Sequence, residues 1–242
     1  MNHLPYALQQ ELLERIYQLH GEWTGNMKLA CGKGCASCCT QSVTITGMEG
    51  RQIGDYLRDH NRLPELAGML DNRKPAGRLS ITTNAFAGYC LRGLEPEEPV
   101  HQEWDFTPCP FLQENCCTIY PVRPFGCRAF VSTVNCAETG SAEIAPLVLT
   151  VNTVYTQLIE HLAQGQFWGK MLDILACYQP GRVEENHEAA EASLRRAMAI
   201  PGLIVCEEEE KPVHAILDRF MAGSVSGRPI RLLLGLEATL SP

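Results

Sequence analysis

Cys31-Gly-Lys-Gly-Cys35-Ala-Ser-Cys38-Cys39 packs four sulfurs into one short stretch and separates them with small residues. Glycine, alanine and serine let a backbone turn tightly around a bound group instead of extending as a helix or strand. A second group answers it further along: Cys109-Pro-Phe-Leu112, then Cys116-Cys117-Thr-Ile-Tyr120-Pro, then Arg123-Pro124-Phe-Gly-Cys127-Arg128-Ala-Phe130. Neither group contains histidine. Two dense groups so far apart in the chain can meet only through the fold. The expected architecture is therefore mainly α, with minor β, in which helices pack around an irregular cysteine-rich metal-binding loop region.

The chain outward from these groups supports that expectation. Leu4, Leu8, Leu12, Ile16 and Leu19 recur at helical spacing and predict an amphipathic core-facing helix. Val43-Thr44-Ile45 reads as a short strand. Thr46-Gly-Met-Glu49 is a capping box that starts a helix running to about Asp59. Residues 61–78, with Pro64, Gly68, Pro75 and Gly77, read as a loose connection with at most a short helix. Residues 92–108 read as a polar, proline-rich surface loop. The pattern from Pro146 to Tyr178 reads as helical, and Glu184 to Ala199 as a further helix. Cys206-Glu-Glu-Glu-Glu-Lys reads as a solvated charge run. The expected division is an N-terminal helix (1–27), a cysteine-cluster domain (28–140), helices docking on it (141–200) and a C-terminal segment without a readable structure (201–242).

Composition narrows the function. The chain has 242 residues, 45% of them hydrophobic, enough for a core. Its net charge of −8 gives no electrostatic gain on a polyanion, so nucleic acid is not expected as a partner. No apolar run approaches the ~20 residues of a spanning helix, and the first twenty residues lack a signal pattern. The expected location is cytoplasmic, with no membrane partner. In a reducing compartment, 12 cysteines point to metal or redox chemistry more than to disulfides.

Thiolates suit zinc and iron–sulfur clusters. Cys31, Cys35, Cys38, Cys39, Cys109, Cys116, Cys117 and Cys127 are the candidate ligands. Buried cysteine is often mere core filler. That reading fits the isolated Cys177 and Cys206 and leans the same way for Cys90 and Cys136, but it gives no reason for two adjacent Cys-Cys pairs. A thiol–disulfide centre at Cys35-Ala-Ser-Cys38 lacks the expected βαβ context. Lys28, Lys33, Arg123 and Arg128 flank the cysteines and can balance a negative thiolate centre; Arg128, beside Cys127 and ahead of Ala129-Phe130, is the one expected to point inward.

These residues resemble the YkgJ-type cysteine-cluster family, described as zinc- or iron-chelating and distantly related to flagellin lysine N-methylase. The resemblance rests on Cys31, Cys35-Ala-Ser-Cys38-Cys39, Thr44-Ile-Thr46 with Glu49, Cys109-Pro-Phe-Leu112, Cys117-Thr-Ile-Tyr120, and Arg123-Pro124-x-x-Cys127-Arg128 with Phe130, over residues 28–136. Cys31 and Cys35 are one residue further apart than in a Cys-x-x-Cys start, and Cys116 beside Cys117 leaves either as the ligand. The resemblance implies a metal-binding domain and no substrate. The Cys31–Cys35–Cys38 spacing also matches radical S-adenosylmethionine enzymes. However, Ser37 stands where those place an aromatic residue, and no βα repeats follow.

Three function classes stand open on the sequence. They are a metal-binding protein, a metal-dependent enzyme (S-adenosylmethionine-dependent methyltransferase-like or iron–sulfur redox), and an interaction module with structural zinc. No nucleotide loop or catalytic triad is legible, and His3, His20, His60, His101, His161, His187 and His214 read as surface residues. The over-supply of sulfur in the first group and the long spacings in the second favour an iron–sulfur cluster, [4Fe–4S], over zinc, whose structural sites usually show two Cys-x-x-Cys knuckles.

Overall fold

The computed structural model describes residues 4–32, 34–71, 81–96, 105–178 and 194–236. Among these the fold is mainly α with minor β. Helix α1 (Tyr6–Thr24) buries Leu8, Leu12, Leu13, Ile16, Tyr17, Leu19 and His20, the stripe that three-to-four-residue spacing puts on one face. Strand β1 (Thr44–Thr46) runs straight into α2 (Gly47–Asp59). The junction is a complete capping box: the Glu49 amide donates to Thr46 Oγ1 at 3.3 Å, and the Thr46 amide donates to the Glu49 carboxylate at 2.9 Å. A short α3 (Leu63–Asp71) follows, and Thr82 caps α4 (Thr83–Cys90).

Strands β2 (Leu112–Gln113) and β3 (Cys116–Cys117) form a hairpin whose two turn residues, Glu114 and Asn115, both have positive φ. That is the backbone twist a two-residue hairpin needs. Two short helices, α5 (Phe125–Ala129) and α6 (Cys136–Thr139), precede the long α7 (Pro146–Leu162).

The expected continuous helical stretch to Tyr178 is broken. After a turn at Gly165, β4 (Phe167–Lys170) pairs antiparallel with β1, Thr46 opposite Trp168, and only then does α8 (Met171–Cys177) begin. Residues 184–193 of the expected further helix lie outside the described residues. Its last part is extended: β5 (Arg195–Arg196) pairs with Phe167 and Trp168 and completes a sheet of order β1-β4-β5. Beyond Pro201 there is more order than the sequence suggested. The glutamate run forms a 3-10 turn (Glu207–Glu209) that leads into α9 (Glu210–Met221), and negative charge there favours a helix start. Strands β6 (Ser224–Val225) and β7 (Arg228–Pro229) make a second hairpin, followed by α10 (Ile230–Leu234).

Two apolar clusters form the core. One joins α1, α7, α9 and α10 through Leu12, Ile16, Tyr155, Leu158, Leu217, Phe220 and Ile230. The other joins α2 and α8 to the hairpin through Ile53, Leu57, Ile174, Phe111 and Ile119. Half-buried Cys109 and Cys117 pack against this second cluster, so the cysteines sit at its rim. No helix among the described residues is long and apolar enough to cross a membrane.

Candidate metal centre

The first cysteine arm has no regular structure and turns on itself. The Cys35 amide donates to Gly32 O, and the Cys39 amide to Ala36 O; Gly34 takes φ of +90°, a conformation glycine tolerates best. Beyond Cys39 the arm is zipped to the second. The Cys109 amide donates to Cys39 O at 2.9 Å, Thr40 bridges Pro108, and the Gln41 amide donates to Thr107 O at 3.0 Å. The two groups are therefore brought together by backbone hydrogen bonds.

The hairpin adds a third edge. Alternation along a strand sends neighbouring side chains to opposite faces. Cys117, opposite Leu112, is half-buried against the core, whereas Cys116, opposite Gln113, is exposed. The Thr118 amide donates to Phe111 O at 2.8 Å and holds the hairpin's base to the Cys109 turn.

Cys127 arrives on α5, and Glu49 fixes that helix. Buried at 3% exposure, the Glu49 carboxylate accepts from the Phe125 amide (2.8 Å) and the Tyr17 hydroxyl (2.9 Å), as well as from Thr46. Burial and the adjacent Glu49 charge raise the Tyr17 pKa, which keeps it a donor. A Cβ on Gly126 would come within 3.2 Å of Val43 Cγ1, so a residue without a side chain lets α5 lie close to β1. Arg128 donates to the carbonyls of Arg123 and Pro121 and lies over the Tyr17 ring at 4.2 Å, half-buried. Arg123 instead lies on the Tyr120 ring, and Lys28 is exposed. Lys33 lies outside the described residues.

The thiols act on one another. Cys39 feels Cys127, Cys109 and Cys117; Cys127 feels Cys109, Cys117 and Cys38. Burial pushes the Cys109 thiol up to about 11 and the Cys127 thiol up to about 12, the latter also through neighbouring thiols and Glu49. The adjacent Cys38 and Cys39 thiols shift each other in opposite directions, Cys38 upward and Cys39 downward. Cys31 is shifted up by burial, against the backbone hydrogen bond from Ser132, and its thiol neighbours are Cys35, Cys136 and Cys38.

No cysteine is disulfide-bonded. Among the described residues, no three His, Cys, Asp or Glu side chains already stand close enough to hold a metal ion. The donor set nonetheless fits a soft cation. Several thiols border one another on irregular backbone at a core rim, and a bound cation would offset the burial and mutual repulsion that keep Cys109 and Cys127 protonated.

Other expectations need correction. Cys177 is buried in the second cluster, as core filler would be, but Cys90 and Cys206 are exposed, and Cys136 is half-buried close to Cys31. His20 and His161 are buried, not surface residues: His20 pairs with Asn152 at 2.8 Å, and His161 with Leu234 O and the Ile200 amide. His60 is exposed and bonds Tyr56 O, and His214 is half-buried near Glu210. His3, His101 and His187 lie outside the described residues. The capping box marks Glu49 in the sequence, but its bond to the Phe125 amide, which holds α5, has no local sequence signal.

A domain of thiols on tightly turned backbone, with the described histidines engaged elsewhere, is the class of cysteine-cluster chelator. Residues 30–146 match the family model described as "CxxCxxCC: Putative zinc- or iron-chelating domain". No curated protein and no solved structure matches the chain.

Proposed function

We propose that the protein chelates a thiophilic metal through cysteines drawn from both arms, with Cys39, Cys109, Cys117 and Cys127 as the principal ligands. The observation that carries this reading is the backbone pairing of Cys39 with Cys109, which sets the first arm beside the hairpin thiol Cys117 and the helix thiol Cys127. Cys117 is preferred to its neighbour Cys116 because Cys117 faces the core.

The preferred occupant is an iron–sulfur cluster of the [4Fe–4S] type, which takes four thiolates. Its size suits ligands from three separate backbone segments better than a single zinc ion does. Each thiol that binds gives up its proton to solvent, so the raised pKa values of Cys109 and Cys127 make the apparent affinity climb with pH. Arg128, which Cys127 and Glu49 act upon, offers the cation that a doubly negative thiolate unit needs nearby. The domain works in the cytoplasm, where thiols stay reduced. Neither a polyanion nor a membrane is needed to explain the site.

Anaerobic purification followed by iron, zinc and acid-labile sulfide analysis tests the reading. Stoichiometric iron and sulfide agree with the cluster. Zinc without sulfide, and no uptake of iron and sulfide on reconstitution, leaves chelation standing and removes the cluster. Absence of any bound or acquired metal removes the reading itself.

A further inference from the structure

We infer that Cys136, with Cys31 and Cys35, forms a second all-sulfur site for a tetrahedral divalent metal, completed by Cys38 and distinct from the Cys39–Cys109–Cys117–Cys127 set.

The backbone places the pieces. The Ala30 amide donates to Ser132 O at 2.8 Å, and the Ser132 amide donates to the Cys31 sulfur at 3.2 Å. Ser132 is 1% exposed, and its hydroxyl donates to Val134 O while accepting from the Val134 and Glu143 amides. This fastens residues 30–31 to the 132–136 turn. Asn135 caps α6 by accepting from the Ala137 amide, and Cys136 is the first residue of that short helix, its sulfur 3.9 Å from Val134 O.

A second geometric observation points the same way. A cleft of about 640 Å³ lies between the arms, and its lining includes Gly34, Cys35, Cys39, Asn135 and Ala137. Cys35 therefore borders the same space as the two residues that flank Cys136. The Cys31 thiol is acted on by Cys35, Cys136 and Cys38. The other set has the opposite membership: Cys39 is acted on by Cys38, Cys127, Cys109 and Cys117. Cys38 stands where the two sets meet.

The chemistry follows from the donor count. Zinc in structural sites takes four ligands in a tetrahedron, and four thiolates are a common set. Seven of the eight candidate ligands, all but the exposed Cys116, make two sets of four once Cys136 is added. Cys116, Cys90, Cys177 and Cys206 stay outside both. An amide donating to a metal-bound thiolate is the kind of outer contact that orients a ligand, and the Ser132 amide already makes it to Cys31. Gly32 and Gly34 have open space where a Cβ would be, so the loop can close the sulfurs around an ion without a side-chain clash. Binding would release thiol protons to solvent and involves no change of oxidation state.

This inference rests on the proposed chelation, and the test separates the two. Apo protein is titrated with Zn(II) under anaerobic, reducing conditions, and the bound ion is counted by competition with a chromogenic chelator. Wild type is expected to take two equivalents, and Cys136→Ser one. Cys117→Ser is also expected to take one. Cys35→Ala, which changes an exposed thiol and leaves the core untouched, must match Cys136→Ser. Co(II) loading gives an independent readout: Cys136→Ser should lose about half of the sulfur-to-metal charge-transfer intensity. A single equivalent in wild type that depends on Cys117 and not on Cys136 overturns the second site and spares the first. Two equivalents retained in both Cys136→Ser and Cys35→Ala overturn it as well. No uptake by wild type overturns both.

Discussion

The carboxylate of Glu49 accepts a 2.8 Å hydrogen bond from the amide of Phe125, two positions before Cys127. One buried side chain thus caps α2, receives the Tyr17 hydroxyl of α1 and anchors the segment that carries a proposed ligand. Replacement by glutamine keeps the shape but turns one of the two acceptor oxygens into a donor. Its amide nitrogen must then face either the Thr46 pair or the Tyr17–Phe125 pair, all of which donate to this side chain. Glu49→Gln is expected to destabilise by about 1–3 kcal/mol in denaturant unfolding. Metal retention should fall with it, because α5 loses its tether. An unchanged unfolding midpoint would remove Glu49 from this role.

The proposed ligands make a contrast with exposed cysteine. At a metal concentration ~1,000-fold above its Kd, Cys127→Ser should lose about 4 kcal/mol of metal-linked stability. Cys206→Ser, exposed and outside both sets, should stay within about 0.5 kcal/mol of wild type. The difference should shrink sharply once metal is removed from both samples. Equal thermal shifts with unchanged metal content would contradict the ligand assignment.

Both cysteine arms and the helix that follows them were readable because their signals are local. Thr46 and Glu49 are three residues apart and satisfy each other's backbone, so a capping box is visible without a fold. Strand β4 was not readable. Phe167 to Gly169 are buried, and a short apolar run buried on both sides has no alternation to separate it from a helix. Its identity comes from pairing with Thr44–Thr46, which is remote in sequence. Helix α9 does carry its own signal: Val213, Leu217 and Phe220 mark one face, while the glutamates before it are mostly exposed, as a solvated charge run is. The nearness of Cys136 to Cys31 depends on Ser132, and no spacing rule reveals such a contact.

Two glycines mark close packing that side chains would disturb. A Cβ on Gly50 of α2 would fall 2.5 Å from Ile174 Cγ2 of α8. Ile174 is fully buried and branched at Cβ, so its Cγ2 methyl cannot swing aside freely. Gly50→Ala is expected to cost about 1–3 kcal/mol by overpacking. Gly54→Ala, on the same helix with open space at its Cβ, should be neutral or slightly stabilising. Thermal unfolding of the two variants side by side checks this, and equal shifts would contradict the packing.

Acid should weaken the fold through its two buried imidazoles. Burial lowers the pKa of His20 and of His161 below the ordinary 6.5. In His161 the Ile200 amide donates to Nδ1 and favours the neutral ring, while Leu234 O accepts from Nε2, fixes the tautomer and only partly opposes the effect of burial. Between the lowered folded values and 6.5, the unfolded chain binds more protons, so stability is full above 6.5 and falls as pH drops below it. Glu160, raised by burial, runs the other way, because the folded chain holds its proton more tightly. The metal-free protein should lose stability as pH drops from 6.5, until Glu160 begins to protonate. His20→Gln should flatten the upper part of that decline. An unfolding midpoint independent of pH between 7 and 5 would contradict the neutral assignment.

X-ray absorption at the metal edge of the loaded protein tests the central claim most directly. The account predicts a first shell made of sulfur alone, at about 2.3 Å if the ion is zinc, and its loss when Cys39 and Cys127 are both replaced by serine. A first shell dominated by nitrogen or oxygen, or an unchanged sulfur shell in the double variant, would contradict it.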